Sequence, residues 1–404
     1  MQRPLTSVRV LACEQFMMGP FGTMLLGDLG AQVIKIEPID GGDPSRSIPP
    51  FFQGPAGQES TGTFVRLNRN KQSLALNLKS EAGKDVFRAL VKVSDAVWEN
   101  YRPGVMDRLG IGWEALRALN PALIYVSLTG YGHLDIYPSP DSARPAFDLI
   151  GQAMSGVMYR AGRPGDPPAY CGYPLADNYP SLMGAFGLVS ALFGRTVTGQ
   201  GQHVDISMVD AMLAANEQVI GHYVQTGEIQ PRGGAGFSSP YHSFKAQDGY
   251  LVIAAAHTPI WHRLCRVMGR DDLIAETRLD AAIFRMDHTE DIIRPAIEGW
   301  AADKPVDRVV GLLSDAGVPA SPVYEVDQVA AWPHVTARHM LWEVDHPAAG
   351  PVKVVGNPVK LSGAPEEVAA PPPALGEQTD RILTDLLGLS EKEVFRLREG
   401  GVVA

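Results

Sequence analysis

The sequence predicts an α/β fold built on a largely parallel sheet, and three observations predict it. From Val8 to about Ile206, apolar runs such as VRVLAC, QVIKIE, AVWEN and ALIYVSLTGYG alternate with helical patterns such as GKDVFRALVKVSD and WEALRAL. Strands that alternate with helices are joined by crossovers, and crossovers produce parallel sheets. The stretch GPFGTMLLGDLGAQVIKIE, Gly19 to Glu37, runs from a glycine turn through a helix into a second strand and an acid, the order that opens a nucleotide-binding domain. At 404 residues the chain exceeds one ordinary core, so two domains or one large one are expected.

The elements follow in order. Glycines stand at 19, 22, 27 and 30, with Pro20 and Phe21 filling the turn. A dinucleotide fingerprint wants GxGxxG, so NAD binding is a rival reading only. The Pro-, Gly- and Ser-rich segments from Pro44 to Gly62 and from His133 to Pro145 read as long exposed loops, with the α/β pattern resuming after each. A helix is expected after Asp177, then a strand leading into a long helix in HVDISMVDAMLAANEQVIGHYVQTG. PRGGAGFSSP marks a change of character, and a second unit runs from about Tyr241 to Val323, with YLVIAAA as a strand. The Pro-rich tail holds a helix in TDRILTDLL and another in SEKEVFRLRE, which opens with a Ser-x-x-Glu capping box; it is expected to pack back on the first domain.

Composition excludes several classes. With 45% hydrophobic and 20% charged residues the chain is globular, and its net charge of −10 argues against general nucleic-acid binding, which needs a dense basic surface. No basic leader with an apolar core and no window of about 18 apolar residues is read in it, so neither secretion nor a membrane span is expected. Cys13, Cys171 and Cys265 stand far apart in or beside apolar segments and read as reduced thiols of a cytoplasmic protein. The ten histidines form no HxH or HxxxH, so no metal site is expected, and neither GxSxG nor a P-loop is present.

Three segments could carry chemistry. Asp177, in PLADNYPSLMGAFGLVSAL, fits a helix N-cap by position, yet AYCGYPLAD ahead of it reads as a turn at the carboxyl edge of the sheet, where α/β proteins bind ligands. ENYRPGVMDRLGIGWEAL presents Asn100, Tyr101, Arg102 and Arg108, an amide, an aromatic face and two guanidinium groups able to grip a phosphorylated nucleotide; a solvated loop is the plainer reading. Lys71 and Lys79 add charge in the same half of the chain, and SLTGYG ends a strand in a glycine turn that exposes Tyr131. Asp205 and Asp210 read as helix caps.

Taken in order, GPFGTMLLGDLGAQVIKIE, LNRNKQSLALNLKSEAGK, ENYRPGVMDRLGIGWEAL, SLTGYG, PLADNYPSLMGAFGLVSAL, TGQGQHVDISMVDAML and LGEQTDRILTDL resemble the class III CoA-transferases over essentially the whole chain. The resemblance implies a Rossmann-like large domain from both chain ends, a small inserted α+β domain, and an interlocked homodimer. On this chain the large domain would take residues 1–207 and 351–404, the small domain 236–325, with a linker helix and loop at 208–235 and a return linker at 326–350. It implies transfer of CoA from an acyl-CoA to a small carboxylic acid, a dicarboxylate by preference, with the CoA thioester as substrate and no resident cofactor. By position, Asp177 falls on the family's nucleophilic aspartate, whose anhydride and CoA-thioester forms carry the reaction. Asn100, Tyr101, Arg102 and Arg108 fall on a CoA-contacting loop, Leu76, Asn77, Leu78 and Lys79 on an adenosine-side segment, and Leu128, Thr129, Gly130 and Tyr131 on a turn lining the pantetheine channel.

Departures qualify the resemblance. Met17, placed in the CoA site, and Pro38 replace a Gln and an Arg of formyl-CoA transferase, which argues against small-oxalate chemistry. The family's glycine loop has only GGAG, Gly233 to Gly236, in the right region. Related racemases place a His where PAFD has Phe147, and a phenylalanine is neither acid nor base. A racemase, an NAD-dependent dehydrogenase and a non-catalytic CoA-binding protein are the rival readings. Arg144, Arg160 and His242 are candidates for holding a second carboxylate of the acceptor by location alone.

Overall fold

A computed structural model describes residues 3–53, 59–233, 239–347, 350–364, 366 and 370–404. The chain divides into two compact units. The first takes Met1–Ala161, Pro167–Gly221 and Ala337–Ala404, the second Gly162–Asp166 and His222–Thr336.

Six parallel strands form the core of the first unit: β1 (Arg9–Cys13), β2 (Gln32–Glu37), β3 (Lys71–Ala75), β4 (Ala96–Glu99), β5 (Ile124–Thr129) and β6 (His203–Ser207). Their spatial order is β3-β2-β1-β4-β5-β6, that of a doubly wound sheet. The chain builds outward from β1 on one side, then returns to build outward from β4 on the other. Connections therefore leave the carboxyl ends of β1 and β4 in opposite directions and open a crevice between them. Residues just beyond Cys13 and Glu99 border that crevice.

Alternation along each strand buries both faces. Leu11, Cys13, Ile34, Val97 and Tyr125 meet the helix α2 (Glu81–Val91) and the tail helices Thr379–Leu387 and Glu391–Glu399 on one side. Val10, Ala12, Val33, Trp98 and Val126 meet α1 (Met18–Asp28) and the long helix α4 (Leu175–Thr198) on the other. The expected capping box closes on Ser390 and Glu393, and Ile382, Leu383 and Val394 seat the tail on the sheet.

Glycine sets how closely α1 and α4 approach. A Cβ on Gly22 would lie 2.7 Å from the Trp98 ring, and one on Gly184 2.8 Å from it. The opening glycines thus serve packing: a Cβ on Gly19 would meet Glu14 Cβ at 2.7 Å and Asn100 Oδ1 at 2.9 Å.

Two expectations are corrected. Pro44 to Gly62 is not an uninterrupted exposed loop, since it contains a 3-10 turn at Pro44–Ser47 and a hairpin pairing Phe51–Gln53 with Glu59–Thr61. Leu175–Thr198 is long and apolar enough to cross a membrane by composition, with mean hydropathy 1.2, but it packs along the sheet through Ala185, Leu188 and Ala191. The helix Met208–Ala215, expected in a linker, buries Met208 and Met212 in the first unit's core, and the helices Val326–Ala331 and Pro333–Ala337 lie almost wholly within the second unit.

The second unit has a three-stranded antiparallel sheet, Ala320–Pro322, Tyr250–Ala254 and Tyr241–Lys245, covered by helices that supply Trp261, Leu264, Ile297, Val309 and Leu313.

Gly22→Ala is expected to cost about 1–3 kcal/mol by overpacking against Trp98, read as a lowered denaturation midpoint; unchanged stability would contradict this account of the α1–sheet contact.

Candidate active site

Asp177 is not an N-cap. α4 begins at Leu175 after Pro174, which places Asp177 third in the helix. The capping role is taken by Asp148, in the first turn of α3 (Asp148–Met154): its Oδ1 accepts the Ala176 N–H at 2.7 Å and its Oδ2 accepts Gln152 Nε2–H at 2.8 Å. Gln152, wholly buried, also donates to the Tyr173 carbonyl at 3.1 Å. With the cap supplied from α3, the Asp177 carboxyl is left facing a cavity of about 230 Å³. Among the described residues nothing hydrogen-bonds to that carboxylate. Burial, with the neighbouring Asp148 charge, pushes its pKa up to about 7. Its charge is therefore only partly developed at neutral pH.

The cavity lies over the carboxyl ends of β1, β4 and β5. It is lined from β1 by Gln15 to Met18, from β4 by Asn100 to Pro103, from β5 by Leu128 to Gly130, and from the following loop by Arg144 to Phe147. Met17, Asn100, Tyr101, Arg102, Leu128, Thr129 and Gly130 are thus brought together with Asp177. Asn100 spends its amide on structure: Oδ1 accepts the Gln15 N–H at 2.9 Å and Nδ2 donates to the Gln15 carbonyl at 3.0 Å. It holds the β1 turn, where Phe16 has φ 62° and donates its N–H to Asp43 Oδ1 at 3.2 Å.

Buried charges fix this turn from below. Lys71 Nζ lies 2.7 Å from Glu14 Oε1, and Lys35 Nζ lies 2.8 Å from Asp43 Oδ2. Lys71, one of the two basic residues noted in this half of the chain, is a wholly enclosed ion-pair partner whose pKa burial pushes down to about 8. Glu99 accepts the Tyr101 N–H at 2.7 Å, and burial pushes its carboxyl up to about 8.

A second cavity, about 460 Å³, is lined by Leu76 to Lys79, Pro38 to Asp40, Val105 and Arg108. Tyr101 lines both cavities, so they share a wall. Asn77 Nδ2 donates to the Gly401 carbonyl at 3.2 Å and ties this segment to the tail. One chamber therefore holds a carboxyl with Arg102 and Arg144, the other Lys79 and Arg108.

Tyr131 does not face either chamber. It is buried, and its ring lies 5.5 Å from the Arg144 guanidinium. Asp205 is no cap: it lies in β6 and accepts the N–H groups of His133 at 2.7 Å and Leu134 at 3.0 Å, while Ser207 caps the next helix. Glu37, placed where a dinucleotide ribose would sit, pairs with Arg46 at 2.8 Å and accepts from Ser73 at 2.6 Å, so the NAD reading loses its acid. Arg160 does not line the Asp177 cavity, and His242 belongs to the second unit. Of GGAG, Gly234 to Gly236 lie outside the described residues. Among the described residues no cluster of His, Cys, Asp or Glu could hold a metal ion.

Sequence reasoning missed Asp148, Gln152 and Gln15. PAFD drew attention to Phe147, which lines the cavity, and the signal passed over was the acid beside it at the start of the pattern DLIGQAM.

The family model described as CoA-transferase family III matches residues 5–379. The chain is 36% identical over 384 residues to the succinyl-CoA:mesaconate CoA-transferase of Haloarcula marismortui, covering 94% of this chain and 96% of that protein. It is 37% identical over 379 residues to the acetyl-CoA:oxalate CoA-transferase of Acetobacter aceti, covering 93% and 94%. The crystal structure of a CAIB/BAIF family protein from Brucella suis matches with a TM-score of 0.83 at 30% identity, covering 96% of this chain and 100% of that one.

Proposed function

The chain belongs to CoA-transferase family III and is an acyl-CoA:carboxylate CoA-transferase; we propose that Asp177 is the nucleophile through which CoA passes. The observation that carries this is a carboxyl without hydrogen bonds among the described residues, facing a cavity at the switch point of a doubly wound sheet, one wall away from a chamber lined by Lys79 and Arg108.

In the mechanism an Asp177 oxygen attacks the thioester carbonyl of the donor. The C–S bond breaks with its electron pair on sulfur, leaving a mixed anhydride and CoA thiolate. The thiolate attacks the aspartyl carbonyl and expels the donor acid, which forms the Asp177–CoA thioester. The acceptor carboxylate attacks that thioester, and the released thiolate takes the new acyl group from the second anhydride, restoring Asp177. Two exchanges of similar energy replace one difficult transfer. Only the ionised form attacks, so activity falls as pH drops below about 7. The racemase reading lacks a second proton-transfer group, since Phe147 occupies its place in the cavity.

Lys79 and Arg108, with Arg102 on the adjoining loop, supply the positive charge for the CoA phosphates, which an acidic protein must concentrate locally. Arg144, in the cavity of Asp177, meets the second carboxylate of a dicarboxylic acceptor; the relatives named for mesaconate and oxalate act on such acids. The working form is an interlocked homodimer in the cytoplasm. Supporting it, α4 exposes Leu182, Phe186, Val189, Phe193 and Val197 as one apolar stripe, with Phe193 74% accessible in a single chain. Sedimentation at the mass of one 43.5 kDa chain would refute the dimer.

The function is tested by offering acetyl-CoA or succinyl-CoA with succinate, mesaconate, glutarate, formate and butyrate, and identifying the CoA esters formed. Faster transfer to dicarboxylates is expected, with none in Asp177→Asn; faster transfer to monocarboxylates overturns the acceptor class, and wild-type activity in Asp177→Asn overturns the nucleophile.

A further inference from the structure

α3 reaches the start of α4 because residue 151 is glycine. A Cβ there would lie 2.7 Å from Ala176 Cβ and 2.6 Å from Met208 Sδ. This approach sets the Asp148 carboxylate on the Ala176 N–H, one residue before the nucleophile, where Gln152 holds its other oxygen. A cap needs one acceptor oxygen and no net charge, and Ser or Asn serves as well as Asp. Here the cap is an acid set beside another acid. The two carboxylates share a partly buried site, an arrangement that is costly when both are ionised.

That cost vanishes when Asp177 is acylated. The free nucleophile carries a negative charge, whereas its anhydride and thioester forms are neutral at residue 177. The charge leaves on the thiolate, and then on the expelled acid, which is free to depart into solvent.

We propose that Asp148 is a positioning residue that also acts electrostatically. It fixes the start of α4 and, through its charge, favours the acylated forms of Asp177 over the free carboxylate. This rests on Asp177 being the nucleophile. The covalent step is the exchange already described, in which Asp177 carboxylate and acyl-CoA become Asp177–CoA thioester and free acid, with no proton gained or lost. Burial works in the same direction as Asp148, and the same pair of causes raises the Asp177 pKa. Other titratable or charged groups near the pair are Tyr170 and Cys171 on the preceding loop and Tyr101, Arg102 and Arg144 around the cavity, with Arg144 paired to Asp141 at 2.9 Å. The two cations act in the opposite sense, which leaves Asp148 as the acid whose removal isolates the effect.

The proposal makes two observables move together. Asp148→Asn keeps an oxygen for the Ala176 N–H and loses the charge together with the acceptor that Gln152 Nε2–H uses. Whichever of acetyl-CoA and succinyl-CoA loads the wild type is incubated, at a fixed ratio to its free acid, with wild type, Asp148→Asn and Asp177→Asn, and the CoA adduct is measured by intact-protein mass spectrometry. The acid limb of the pH–rate profile is recorded in parallel for the first two. In Asp148→Asn the limb is expected to move to lower pH, and the ratio of thioester to free enzyme to fall about tenfold for each pH unit moved, since both read one free-energy difference. A limb and adduct ratio equal to the wild type's overturn the inference and leave the nucleophile standing. An adduct on Asp177→Asn, or none on the wild type, overturns the nucleophile and the inference with it. A purely structural role would lower activity in Asp148→Asn without moving the limb.

Discussion

The closeness of α4 to the sheet is the constraint on which the site depends. Gly184 lets the helix settle on the Trp98 ring, Gly187 admits Val204 of β6, and Gly151 brings α3 against Ala176. Each contact fails if a methyl group is added, because interiors are packed to crystal density and cannot absorb it without a shift. Together they set the height and rotation of the first turn of α4, and so direct the Asp177 carboxyl to the crevice where the sheet reverses direction.

The opposite wall is held by charge. Gln15 to Met17 form an irregular turn with a left-handed Phe16, and what secures it is Asn100 on one side and Asp43 on the other. Asp43 in turn answers Lys35, and Glu14 answers Lys71 and Thr23, all inside the sheet edge. Buried ion pairs contribute little net stability, but removing one partner strands the other, so such a network fixes one geometry strongly. The acyl cavity is therefore bounded by a packed helix on one side and an ion-paired turn on the other.

Much of this was legible in the chain. The parallel sheet followed from apolar runs that alternate with amphipathic helices, and Ser390 and Glu393 announced the last helix because a capping box is local. Asp177 was found by its place after a strand-like run and before a helix with small residues. What stayed hidden depended on distant partners. Lys71 and Lys79 look alike in sequence, yet one opens β3 and is enclosed with Glu14 while the other lies beyond the end of that strand and lines a chamber. Asn100 and Gln15 are 85 residues apart, so nothing local says that the amide is already committed. Tyr131 follows a glycine turn that suggests exposure, but the turn folds inward. The raised pKa of Asp177 is hidden for the same reason, since its acidic neighbour comes from another helix.

These features make one chemical claim, that CoA passes through an anhydride on a single carboxylate. The acceptor must then leave an oxygen behind. When it attacks the Asp177 thioester, its oxygen becomes the bridge of the second anhydride, and cleavage at the acyl carbonyl leaves that bridge on Asp177. The most direct test is turnover with an 18O-labelled acceptor acid, followed by mass analysis of the peptide that contains Asp177. The account requires one 18O atom on the Asp177 carboxyl after a single turnover. A peptide that stays unlabelled while the new acyl-CoA accumulates would contradict it.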